Sequence, residues 1–121
     1  MMTDEKIYYK SILDNLTGGL IGVDGEGVVS YMNRMAEQIL HITEAECLEK
    51  KFGTAFVNYP ELKAVIAETL STKKTVRRAE IRISHAGTPM VIGYGTMIVK
   101  HAEEEFGCAV IFQDISFKAR K

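Results

Sequence analysis

Hydrophobic positions change their period several times along this chain, and each change marks an element. Thr3 can cap a helix whose first turn holds Asp4 and Glu5. Tyr9, Leu13 and Leu16 follow at i, i+4 and i+7, beside Tyr8 and Ile12, and the pattern stops at Gly18-Gly19. An amphipathic helix is therefore expected within residues 1–17. Two apolar β-type runs, Gly19–Val23 and Val28–Met32, then flank Asp24-Gly25-Glu26-Gly27, the composition of a tight hairpin turn. Asn33 can cap a helix with Met32, Ala36, Ile39 and Leu40 along one stripe, and Thr43-Glu44-Ala45-Glu46 is a capping box for a shorter one. Pro60 suits the first turn of a longer helix, where Leu62, Val65, Ile66, Thr69 and Leu70 form one face. From Thr75 the period becomes two: Ala79, Ile81 and Ile83 alternate with Glu80, Arg82 and Ser84. A turn at His85–Pro89 follows, and Met90–Val99 and Phe106–Ile115 complete three successive strands.

This order predicts an α+β fold: a five-stranded antiparallel sheet with helices on one face and an N-terminal amphipathic helix. The domain proper is expected over residues 18–116, and residues 117–121 read as the start of a further helix after Ser116. Cys108–Phe112 is apolar at every position, so both faces of that strand are expected to be covered, one by the central helices and the other by the N-terminal helix or a second copy. Tyr9, Ile12, Leu13 and Leu16 are the candidates for such a homodimer contact.

Composition narrows the function. With 15 Lys and Arg against 16 Asp and Glu the net charge is −1, so no overall field favours nucleic acid or an acidic membrane. Neither a secretory signal nor a run of about 18 apolar residues occurs, which predicts a soluble, cytoplasmic domain. Cys47 and Cys108 lack any spacing suited to zinc and read as free thiols, with a disulfide sensor as the alternative. No metal site is expected.

The opening hairpin from Gly19 to Gly27, Tyr31-Met32-Asn33 entering a helix, Thr43–Glu46, Pro60–Leu70 and the closing Asp114-Ile115-Ser116 occur in the order found in PAS domains. The resemblance covers about residues 14–116. It implies a sensory and dimerisation module of a signal-transduction protein such as a two-component histidine kinase, relaying the state of a ligand or partner to an output domain. A PAS-bearing transcriptional activator, or an interaction module without a ligand, is the alternative. It also implies that Asp114, Ile115 and Ser116 form the exit through which the sheet acts on a following helix.

Chemistry of the chain's own is not expected. Haem-binding members carry an axial His on or near the long helix, but Pro60–Thr72 has none; His41 follows the Ile39-Leu40 stripe, and His85 and His101 read as surface imidazoles in polar turns. Flavin photochemistry needs a Cys in an Asn-Cys-Arg-like setting, which Glu46-Cys47-Leu48-Glu49 does not match. Haem and flavin are thus not expected, and catalytic residues are not assigned. His101-Ala102-Glu103 resembles a phosphoacceptor only superficially, because it lies in a hairpin loop. Lys73, Lys74, Arg77 and Arg78 read as surface charge flanking a strand, with phosphate binding as the alternative. For an unidentified small molecule, the candidate pocket is Ile66, Leu70, Ile81, Tyr94, Thr96, Val110 and Phe112, with Gly93 and Gly95 weakening the same strand. The competing reading is a filled core whose glycines receive the N-terminal helix, and it ranks ahead because interiors are close-packed.

Overall fold

A computed structural model of the chain describes residues 18–116. The N-terminal helix with Tyr9, Ile12, Leu13 and Leu16, and the segment 117–121, lie outside the described residues. Five strands form one antiparallel sheet: β1 (Gly19–Asp24), β2 (Val29–Met32), β3 (Ala79–His85), β4 (Thr88–His101) and β5 (Glu104–Asp114), in the spatial order β2-β1-β5-β4-β3. Between β2 and β3 come α1 (Arg34–Leu40), α2 (Glu44–Cys47), α3 (Phe52–Ala55) and α4 (Pro60–Thr72), which cover one face.

The first hairpin closes on its own acid. Asp24 Oδ1 accepts from the Glu26 N–H at 2.9 Å and the Val28 N–H at 3.0 Å, so the side chain holds the turn that its sequence suggests. The hairpins at β3–β4 and β4–β5 each turn through two residues, Ala86-Gly87 and Ala102-Glu103. The strands consequently run further than the apolar runs that mark them: β4 extends to Thr88 and His101, and β5 begins at Glu104. Ladder hydrogen bonds use the backbone, and polar side chains at the ends do not interrupt them.

Ile21, Val23, Ile83, Ile92, Cys108, Val110 and Phe112 meet Met32, Ala36, Leu40, Phe56, Leu62 and Ile66 in a single core. Asn33 sits fully buried at its edge and caps α1, its Oδ1 accepting from the Ala36 N–H at 2.9 Å. The same oxygen accepts from the Leu20 N–H at 2.9 Å, and Nδ2 donates to the Gly18 carbonyl at 3.0 Å. One side chain thus joins the start of β1 to the end of β2 and the first turn of α1. Thr43 and Glu46 form a reciprocal capping box on α2, and those bonds hold the exposed Glu46 carboxyl below its usual range.

Replacing Asn33 by Ala removes a cap and strands buried donors and acceptors, so Asn33→Ala is expected to cost about 3 kcal/mol. Thr43→Ala, at an exposed cap, is expected to cost about 1 kcal/mol. Urea denaturation of the two variants checks the order, and equal losses contradict it.

Candidate functional site

The sheet presents two faces, and the candidate residues divide between them. Register places Tyr94 opposite Phe112 and Thr96 opposite Val110, with Val110 in turn opposite Ile21, so these side chains share the helix-covered face. Ile81, opposite Ile92, joins them, while Ile66 is fully buried on α4 and Leu70 packs half-buried against the core. Among Leu40, Leu62, Ile81, Tyr94, Val110 and Phe112 there remains a void of about 10 Å³. That is scarcely one water molecule, and its walls are apolar. Thr96 is turned to structural use: its Oγ1 accepts from the Val76 N–H at 2.9 Å, and its N–H donates to the Val76 carbonyl at 2.9 Å.

The larger concavity, about 340 Å³, opens on the other face, over Gly93, Gly95, Ile111 and Ile115, with Arg78 and Gln113 at its edges. The two glycines make room for different neighbours. A Cβ on Gly95 would stand 3.2 Å from the Val76 carbonyl oxygen, so this position admits the approaching backbone of the α4–β3 connection. A Cβ on Gly93 would stand 3.3 Å from the Ile115 side chain, in the exit segment. Besides Ile111, which is 40% exposed in the groove, the same face bears Met97 and Val99 beyond it, exposed to 42% and 39%. Along strand Cys108–Phe112, Ile111 is exposed on this face and Ala109 is buried, while the N-terminal helix expected to cover it lies outside the described residues.

At the exit, Asp114 Oδ1 accepts from both the N–H, at 2.9 Å, and the hydroxyl of Ser116. The Ser116 oxygen accepts from the Val91 N–H at 3.0 Å, and the Ile115 N–H donates to the Val91 carbonyl at 2.9 Å. The chain leaving β5 is thus pinned to β4 at Val91 before it departs.

One polar cluster escapes a reading along the sequence. Tyr59, 3% exposed, donates its hydroxyl hydrogen to the Leu40 carbonyl at 2.6 Å, and its oxygen lies 3.1 Å from His85 Nδ1. His85 stacks on His41 with centroids 4.1 Å apart. Burial pushes the Tyr59 hydroxyl above its ordinary range. His85 is therefore a half-buried imidazole joining three elements rather than a surface residue of a turn. Its partners Tyr59 and His41 lie 26 and 44 positions away in sequence and carry no local signal; the cluster ties the end of α1 to the β3–β4 hairpin.

Cys47 and Cys108 are both buried free thiols, and burial, the largest cause for each, raises them above the ordinary thiol range. Among the described residues no group of three or more His, Cys, Asp or Glu side chains is arranged to hold a metal ion. The basic residues Lys73, Lys74, Arg77 and Arg78 are exposed on the α4–β3 connection, where Lys73 lies 3.9 Å from Glu105.

The family model described as the PAS fold matches residues 7–115. This chain belongs to the PAS fold family. The nitrogen regulation protein NtrY of Azorhizobium caulinodans is 23% identical to this PAS domain over 109 residues, which are 90% of this chain and 14% of that protein. Among solved structures, the PAS domain of BvgS from Bordetella pertussis is similar with a TM-score of 0.72 at 18% identity, covering 97% of this chain and 90% of that one. The PAS domain of nitrogen regulation protein NR(II) from Vibrio parahaemolyticus has a TM-score of 0.66 at 14% identity, covering 88% and 97%. A PAS domain of this kind is a sensory module, and its likeness to those structures lies in the fold. Among its described residues no helix is long and apolar enough to cross a membrane.

The burial of both thiols has a direct consequence. A disulfide reagent near neutral pH is expected to leave Cys47 and Cys108 of the folded PAS domain unmodified and to titrate both in denaturant. Rapid labelling of either thiol in the native protein contradicts their placement in the core.

Proposed function

We propose that this PAS domain is a sensory and dimerisation module of a cytoplasmic two-component sensor histidine kinase, and that it relays the state of a bound ligand or partner to an output domain. The observation that carries the reading is the pinned exit. Asp114, Ile115 and Ser116 are bonded among themselves and to Val91 in β4, so a shift of β4 against β5 reaches the departing chain through backbone and hydroxyl bonds. The relation to the nitrogen regulation protein NtrY supports a regulatory parent, and a PAS-bearing transcriptional activator is the alternative to the kinase. The void of about 10 Å³ on the helix-covered face favours a second reading of the input, an interaction module that responds to a partner without a small molecule. In either case the domain carries no haem or flavin, and the purified protein is colourless. A Soret or flavin band surviving gel filtration overturns that assignment.

The dimer is proposed to form through the N-terminal segment. Ile111, Met97 and Val99 leave apolar surface on the outer face of the sheet, and Tyr9, Ile12, Leu13 and Leu16 supply an apolar stripe of matching character. Two such segments packed on their own sheets and on each other cover both surfaces and bring the two exits at Ser116 near one another, as a paired output helix needs.

Two measurements separate these elements. Burying Leu13 is worth about 1.5–3 kcal/mol on transfer, so Leu13→Glu is expected to convert a micromolar dimer largely to monomer in sedimentation. A dimer indifferent to that change sinks the proposed contact. In the full-length parent, Asp114→Ala is expected to uncouple regulation from output while the domain stays folded. Unchanged regulation removes the role given to the exit.

A further inference from the structure

The two edges of the sheet are finished differently. At β2 the backbone is occupied: the Val29 N–H donates to the Lys50 carbonyl at 2.8 Å, and the Glu49 N–H donates to the Val29 carbonyl at 3.1 Å. At the other edge, no backbone bond joins β3 to any segment but β4 among the described residues. Among the described residues, seven thus end the sheet without a bulge, a proline or a covering segment, and the one edge-protecting device they carry is the charge of Glu80 and Arg82.

The register of the β3–β4 hairpin identifies which groups are free. Ala86 and Gly87 both have positive φ, 50° and 85°, the two-residue turn in which the flanking pair His85 and Thr88 is hydrogen-bonded. Alternation along the ladder then makes Ile83↔Met90 and Ile81↔Ile92 hydrogen-bonded pairs, and turns the N–H and C=O of Glu80, Arg82 and Ser84 outward. Pro89, opposite Ser84, fits that assignment, since it has no N–H to give. Glu80, Arg82 and Ser84 are all exposed.

We propose that the β3 edge is a strand-pairing surface for a second copy of this chain, antiparallel about Ile81, so that two sheets continue as one. Charge selects the occupant and the register. With Ile81 opposite its twin, Glu80 of one copy lies opposite Arg82 of the other, twice over, and these are the residues whose backbone groups face the free edge. The pairing centred on Arg82 sets like charges against each other. The centred Ile81 pair is a close, non-hydrogen-bonded one between β-branched side chains on the helix-covered face. The two-fold axis stands perpendicular to the sheet, so each copy offers the same strand and the contact closes on itself. It uses β3 alone, at the opposite edge of the sheet from β2, and leaves the outer face of β5 free.

Sedimentation at about 0.5 mM in the Leu13→Glu background isolates this edge from the contact proposed above. Self-association is expected there, weakening with added salt. Arg82→Glu or Glu80→Arg alone is expected to weaken it about tenfold, and the double reversal to restore it, because the two charges again lie opposite each other. In the otherwise wild-type chain, Ile81→Cys is expected to form an intermolecular disulfide on mild oxidation, since a non-hydrogen-bonded pair sets its Cα atoms about 4.5 Å apart. Ser84→Cys, off the axis, is the control, and the native thiols are buried. A monomer leaves the edge to a foreign strand and overturns the proposal. Indifference to single reversal, or equal cross-linking at the two cysteine positions, overturns it as well.

Discussion

A single buried amide governs how the two halves of this fold meet. Asn33 stands where β2 ends and α1 begins, and its side chain satisfies backbone groups on β1 as well as the first turn of the helix. A fully buried polar side chain is costly unless its hydrogen bonds are made, and here both the oxygen and the nitrogen are used. Any other entry angle for α1 would leave the amide or the Gly18 carbonyl unpaired. The angle decides where Ala36 and Leu40 enter the core, and hence how α1 lies across β1 and β5. The arrangement also ties Gly18, where the described chain begins, to the same point.

The helix-covered face and the open face then divide the work. Close packing around Tyr94, Val110 and Phe112 leaves almost no internal volume, so the interior transmits displacement rather than offering space. The open face keeps a groove over two glycines, and one wall of it is Ile115, a residue of the exit. Because Ile115 and Ser116 are both bonded to Val91, the groove, β4 and the departing chain form one mechanical unit. The His41–His85–Tyr59 cluster anchors the same end of β3 and β4, at their hairpin, to the end of α1.

Local chemistry made much of this legible in the chain itself. Asp24 before Gly25, Asn33 before a helical stripe, the Thr43–Glu46 box and Pro60 at a helix start all act within a few residues, so their geometry follows from the side chains alone. The alternation of Ala79, Ile81 and Ile83 with charged neighbours likewise determined the facing of β3, and the order of elements determined an α+β domain with a five-stranded antiparallel sheet. Strand ends were less legible, because ladder bonds continue through polar residues once a two-residue turn has set the register. What only the tertiary structure decided depends on partners far apart in sequence. Whether the pocket candidates enclose space, what Gly93 and Gly95 make room for, that His85 lies against Tyr59, and that β3 rather than β2 is the open edge are all set by how elements pack. Periodicity specifies the face a side chain takes, while the volume and the hydrogen-bond partner it finds there are properties of the assembled layers.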